Sequence, residues 1–248
     1  MGGAIARGLC RGSMVPIEDI IVSNRSQAKL DALKGEYPQL NVTTNNVEAS
    51  HYADVVILAV KPWLIEPVIK EIKPRQEQIV VSVAAGIDFA ELDAMIGLPD
   101  MTLFRLIPNT AIRVMESMTL IASHNATPQQ EQWMLGLFNE MGQARLLPEN
   151  QMTAATAMTS CGIAYAFKYV QAVMQAGVEL GIYPHDGVKM VAQSLKGAAE
   201  ILLREETHPS VEIDKVCTPG GYTIKGVNKL DEYGFTQALI EAVKVACK

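Results

Sequence analysis

Up to Pro148, hydrophobic residues fall in short, nearly unbroken runs separated by stretches of helical spacing. The runs at 20–23, 40–43, 54–60, 79–83, 101–107 and 117–123 read as strands. Continuous apolar runs of that length mark strands buried on both faces of a parallel sheet. Between them the pattern predicts helices over 27–37, behind an N-cap Ser26, and over 63–72 and 88–96. A helix over 128–141 follows the N-cap Thr127, and 143–147 reads as a last strand. Such alternation implies a doubly wound, Rossmann-like α/β domain.

After Pro148 the period changes. Residues 151–158, 164–180 and 186–204 are apolar at helical spacing and rich in Ala and Met, and a last helix spans 235–246. The expected organisation is therefore a nucleotide-binding domain over 1–149 and an all-α domain over 150–248. Ala164, Tyr165, Phe167, Val170, Val173, Met174 and Val178 cover more than one stripe of their helix, the mark of burial on several sides. A domain of about 100 residues has a limited interior, so the excess is expected to face a second subunit. An ordinary helical core is the competing reading.

Composition narrows the partners. The 248 residues carry a net charge of −6 without a basic run, which argues against nucleic acid and anionic membranes. No apolar run reaches the ~18–20 residues of a membrane span, and no signal peptide opens the chain. Cys10, Cys161, Cys217 and Cys247 are scattered, as are the four histidines. This suits reduced thiols rather than disulfides or a metal site. The expectation is a cytoplasmic globular protein.

A dinucleotide-binding domain normally opens with a strand, a G-x-G-x-x-G turn and a helix. Here Met1-Gly2-Gly3-Ala4-Ile5 already reads as the helix, with Gly2 as the third glycine. The expectation is that a strand and glycine turn of about ten residues precede Met1 in the natural protein. Taken alone, the segment equally fits a helix that binds no nucleotide. The second strand exits into Ser23-Asn24-Arg25-Ser26, where no carboxylate waits for a ribose 2′-hydroxyl. A hydroxyl, an amide and a guanidinium suit the 2′-phosphate of NADPH instead. In isolation a solvated, capped loop fits as well. Ala59-Val60-Lys61-Pro62 forms the next exit, and Ser82-Val83-Ala84-Ala85-Gly86 offers small residues that a cofactor can approach.

These segments, followed by Ile107-Pro108-Asn109-Thr110, His208-Pro209 and the stretch 214–224 with Thr218-Pro219-Gly220-Gly221-Tyr222-Thr223, resemble the pyrroline-5-carboxylate reductases along nearly the whole chain. Two places depart from that pattern. Thr159-Ser160-Cys161-Gly162-Ile163-Ala164-Tyr165 stands for Ser-Gly-Ser-Gly-Pro-Ala-Tyr, and Ala111 replaces a proline. The resemblance implies reduction of the cyclic imine 1-pyrroline-5-carboxylate to L-proline, the last step of proline biosynthesis. It implies NADP(H), with NAD(H) a poorer cofactor, and a homodimer that can assemble further into a pentamer of dimers. The cofactor contacts it implies are Met1, Gly2, Ser23, Asn24, Arg25, Asn46, Ala59, Val60, Lys61, Pro62, Ala84, Ala85, Gly86 and Asn109. The implied substrate loop is Thr218, Pro219, Gly220, Gly221, Tyr222 and Thr223.

The chemistry asks that the carboxylate be held, the imine nitrogen be hydrogen-bonded, and the nicotinamide face the reacting carbon. The Pro219-Gly220-Gly221 turn is expected to offer consecutive N–H groups as an anion nest, with the Thr218 hydroxyl as a further donor. Thr223 is expected to orient the ring nitrogen and relay a proton. An ordinary helix–helix turn is the competing reading of the glycines.

Overall fold

A computed structural model describes residues 1–247. Two compact units divide between Ser160 and Cys161.

The first unit is α/β, as the alternating pattern implies. β3 (Val55–Leu58), β4 (Ile79–Ser82) and β5 (Thr102–Ile107) lie side by side and parallel, with Val56 beside Val80 and Val80 beside Leu103. β6 (Ser117–His124) pairs antiparallel with β5, and β7 (Gly142–Leu146) pairs parallel with β6. The sheet is thus mixed, where the apolar runs pointed to a parallel one. Connection length explains the reversal. Residues 108–116 hold only the 3₁₀ turn Thr110–Val114, whereas a parallel crossover takes a dozen residues or more.

β1 (Ile21–Ser23) and β2 (Asn41–Thr43) form a separate parallel pair. Among the described residues β1 bonds to no strand but β2, and at that end of its sheet β3 bonds only to β4. Helix α1 (Gly2–Arg11) links the two pieces. Ile5 joins the core of Val81, Phe104 and Ile121, while Ala6 joins Ile20, Leu33 and Leu40. Gly8 leaves no room for a side chain against Met141, which holds α1 close to the sheet.

The helices α2 (Gln27–Glu36), α4 (Ile65–Ile72), α5 (Phe89–Ile96) and α6 (Pro128–Asn139) fall where their periodicity places them. Capping boxes start two of them, from Asp88 with Glu91 and from Thr127 with Gln130. Ser26 stands at the N-cap of α2 but makes no capping bond through its side chain. α7 (Met152–Thr156) continues into a single π turn at 157–161. Met152 and Ala155 pack into the core of the first unit, so the contact boundary lies beyond Pro148. That core also holds an ion pair. Arg105 on β5 donates from Nη1 to Glu149 Oε1 at 2.6 Å, and the same oxygen accepts from Phe89 N at 2.8 Å.

The second unit is all-helical, with α8 (Gly162–Glu179), α9 (Pro184–Glu205), α10 (Pro209–Val216), α11 (Tyr222–Glu232) and α12 (Phe235–Val245). α8 packs on α9, and the Tyr165 hydroxyl ties α8 to α12 by donating to Ala242 O at 3.0 Å. Its helices leave Phe167, Val173, Leu180, Met190 and Leu203 exposed. α3 (Asn46–His51) and α10 are short, and α11 has a narrow apolar stripe at Ile224 and Val227 with Gly226 between them. Six, eight and eleven residues long, they repeat the apolar period too few times to stand out in the sequence.

Candidate active site

In the first unit the implied cofactor residues sit at the starts of α1 and α3 and at the C-terminal ends of β1, β3, β4 and β5, the edge where open α/β sheets take ligands. Gly2 starts α1 against the exit of β3. A Cβ there would lie 3.0 Å from Ala59 Cβ and 3.4 Å from Ala59 O, so glycine is what permits the approach. Met1 O accepts from the amides of Ala4 and Ile5, at 2.8 and 3.1 Å. The first-turn amides of Gly2 and Gly3 have no intrahelical acceptor and form the positive end of the helix.

At the exit of β1, the Ser23 hydroxyl donates to Asn46 Oδ1 at 2.7 Å, and Asn46 Nδ2 donates to Glu71 Oε2 at 2.8 Å. Glu71 is a participant that sequence reasoning missed; 25 residues separate it from Asn46, and no local pattern announces it. Asn24 braces the loop by accepting from Ser26 N at 2.9 Å and donating its own N–H to Thr43 O at 3.2 Å. Arg25 is exposed and pairs with no protein acid among the described residues.

At the exit of β3, the Lys61 ammonium lies 6.0 Å from the centroid of exposed Trp63, and Pro62 opens a 3₁₀ turn. Val60 is half-buried behind them. At the exit of β4, the Ala84 amide donates to Ser82 Oγ at 3.3 Å, Ala85 is exposed, and Gly86 takes φ +81. Asn109 follows β5 and is buried; its Oδ1 accepts from Ala111 N at 2.9 Å. The structure thus brings Gly2 against Ala59 and Ser23 against Asn46.

Residues 218–223 belong to the second unit. Gly221 N donates to Thr218 O at 3.0 Å, and Gly220 has φ +72. With Pro219 at the second position and glycine at the third, this is the pattern of a type II turn. Gly221 is the N-cap of α11, so Tyr222 and Thr223 occupy its first helical turn rather than a loop. This shifts the expected nest. Pro219 has no N–H and that of Gly221 is spent inside the turn, so the donors left are the Gly220 amide and the first amides of α11, which no side chain caps. The Thr218 hydroxyl lies close by, since a Cβ on Gly221 would sit 2.6 Å from Thr218 Oγ1. An uncapped helix start with a hydroxyl beside it suits a carboxylate.

Among known families, residues 149–248 match the model described as pyrroline-5-carboxylate reductase dimerisation. Residues 1–86 match NADP oxidoreductase coenzyme F420-dependent. Pyrroline-5-carboxylate reductase of Synechocystis is 34% identical over 244 residues, covering 98% of this chain and 90% of that protein. The chain belongs to the pyrroline-5-carboxylate reductase family. Pyrroline-5-carboxylate reductase 1 of Dictyostelium discoideum is 33% identical, but the chain spans about half of its length, 46%. The crystal structure of Plasmodium falciparum pyrroline carboxylate reductase with NADP bound superposes with a TM-score of 0.86 at 26% identity, covering 98% of this chain and 90% of that one. Family membership agrees with the motif order and with the all-helical second unit. Among the described residues no helix is long and apolar enough to cross a membrane.

Proposed function

We propose that this chain reduces 1-pyrroline-5-carboxylate to L-proline with NADPH, as an NAD(P)H-dependent oxidoreductase acting on a C=N bond. The observation that carries the reading is the Thr218–Gly221 turn feeding the uncapped start of α11, with threonine hydroxyls on both sides of the glycines. A cyclic imino acid presents a carboxylate and a ring nitrogen side by side, and this arrangement offers donors to each.

The dinucleotide fits the residues of the first unit. The tight contact of Gly2 with Ala59 leaves the start of α1 open to a diphosphate, and Arg25 is a cation that pairs with no protein acid among the described residues. Ser23, Asn24 and Asn46 form the ribose side, with Lys61, Pro62, Ala84, Ala85, Gly86 and Asn109 along the rest of the rim. When bound, the cofactor supplies the hydride. The protein's own part is to hold and to exclude. The amides of Tyr222 and Thr223, with the Thr218 hydroxyl, hold the carboxylate. The Thr223 hydroxyl orients the ring nitrogen and passes it a proton; a free hydroxyl is too weak an acid to do more. The helical unit joins two copies, with a pentamer of dimers as the larger assembly, and the working compartment is the cytoplasm.

Thr223→Ala tests the reading. Turnover is expected to fall by about two orders of magnitude, the usual scale of a lost proton-transfer group, while NADPH affinity stays near that of the parent. Unchanged turnover removes Thr223 from the mechanism.

A further inference from the structure

Asn109 stands at the rim with its carboxamide already half used. Its Oδ1 is taken by Ala111 N, while its Nδ2 meets no protein acceptor among the described residues and is not sealed from solvent. It is therefore a donor that the protein leaves unused at the end of β5. The start of the next strand holds the backbone that carries it. Asn109 N donates to Ser117 Oγ at 3.1 Å, and Thr119 Oγ1 donates to the same oxygen at 3.1 Å. Ser117 is 2% exposed and Thr119 fully buried, so no water competes for that oxygen. A serine oxygen has two lone pairs, and both are occupied.

Ser117 is itself immobile. Its amide donates to Met141 O at 3.0 Å, and Gly142, at φ +132, has no room for a side chain against the Ser117 backbone. The turn after Asn109 is also pinned from the other side, because Ile112 packs in one core with Ile5 of α1. Ser117 is thus the fixed end of the link and Asn109 the end it directs. Asn109 then shares the rim with the start of α1, which Gly2 brings against Ala59.

We propose that Ser117 is a positioning residue of the cofactor site, whose buried hydroxyl oxygen holds the Asn109 main chain so that Asn109 Nδ2 meets an acceptor oxygen of the bound nicotinamide nucleotide. The proposal rests on the NADPH reading above. Nothing in Ser117 touches the cofactor; its effect runs through Asn109.

The experiment compares Ser117→Ala, Thr119→Val, Asn109→Ala and the double variant Ser117→Ala/Asn109→Ala, reading the NADPH dissociation constant by fluorescence titration beside kcat and KM. Thr119→Val removes the other donor to the same oxygen but leaves the Asn109 bond, so a merely structural role predicts NADPH losses that follow the stability lost in each variant, Thr119→Val included. The positioning role predicts that Ser117→Ala weakens NADPH about tenfold, the worth of one oriented hydrogen bond. Thr119→Val is expected to stay within about twofold of the parent, and the double variant to bind no worse than Asn109→Ala alone. Ser117→Cys keeps the volume with a weaker acceptor; it is expected to fall between parent and alanine, and it carries the test if the alanine variant does not fold. Equal losses in Ser117→Ala and Thr119→Val overturn the proposal, as do additive losses in the double variant. A parent chain that binds NADPH but leaves the imine unreduced refutes the proposed function and still tests Ser117. A parent chain that binds no NADPH overturns both.

Discussion

The Arg105–Glu149 pair permits a stability prediction with an asymmetry built in. The Arg105 side chain is 10% exposed against 34% for Glu149, and its Nε is sealed from water without a partner. Glu149→Ala strands a buried guanidinium and takes the acceptor from Phe89 N. Leaving a buried charge unpaired costs about 3–5 kcal/mol. Arg105→Met does the reverse. It removes the buried charge together with the unsatisfied Nε, and it leaves Glu149 partly hydrated and still bonded to Phe89 N. Volume-conserving replacements of that kind cost less than about 1.5 kcal/mol. At roughly 2–4 °C per kcal/mol for a protein of this size, Glu149→Ala should lower Tm by about 6–20 °C and Arg105→Met by less than about 6 °C. Scanning calorimetry with parallel urea titrations measures both. If Arg105→Met proves as damaging as Glu149→Ala, the cost lies in lost packing rather than in the stranded charge, and the reasoning is wrong.

Four further outcomes follow from the geometry. Arg25→Ala should weaken NADPH about tenfold or more and NADH little, as titrations with the two cofactors will show; equal losses contradict a 2′-phosphate role. Gly220→Ala should raise KM for the imino acid through conformational strain of about 1–2 kcal/mol at φ +72, since its surroundings are open. Gly221→Ala should lower kcat as well, because the new Cβ displaces the Thr218 hydroxyl; steady-state kinetics separate the two, and matching profiles would count against the turn as the substrate clamp. Glu140 accepts from the Ser13 hydroxyl at 2.6 Å and from the amides of Ser13 and Met14 at 2.7 and 3.3 Å. The Ser13 hydroxyl does most to hold its carboxyl below the usual glutamate range; burial opposes it, and the two amides add smaller lowering contributions. A depressed folded-state pKa gives stability that is present above the unfolded value, roughly 4.3, and is lost as pH falls through the folded one. Glu140→Gln should therefore be less stable than the parent at pH 7, and the gap in urea midpoints should close at acid pH.

Much of the fold could be read from the chain because its signals are local. Apolar runs place β4 and β5 to within a residue at either end, and Asp88–Glu91 and Thr127–Gln130 announce two helix starts. What escaped depends on direction or on distance. An apolar run says nothing about strand polarity, so the antiparallel β6 shows only in the shortness of 108–116. α11 has Gly226 within it and only Ile224 and Val227 half-buried along it, so the Thr218–Gly221 turn looks like part of a longer loop until the helix that follows is seen. The rim residues stand out as motifs, whereas their supports lie far off in sequence: Asn46 leans on Glu71, 25 residues away. The same holds in the core, where Arg105 leans on Glu149, 44 residues away.

The bare faces of α8, α9 and α12 carry a consequence for handling the enzyme. Phe167, Leu180, Leu203 and Leu239 stand in water in a single copy, and the region carrying them matches a dimerisation family. When a fold gains its cover from a second chain, its stability depends on how much protein is present. For a dimer that unfolds as it separates, each tenfold dilution removes about 1.4 kcal/mol. Specific activity measured at nanomolar enzyme will then fall short of that at micromolar enzyme, and melting temperatures will carry meaning only beside a stated concentration.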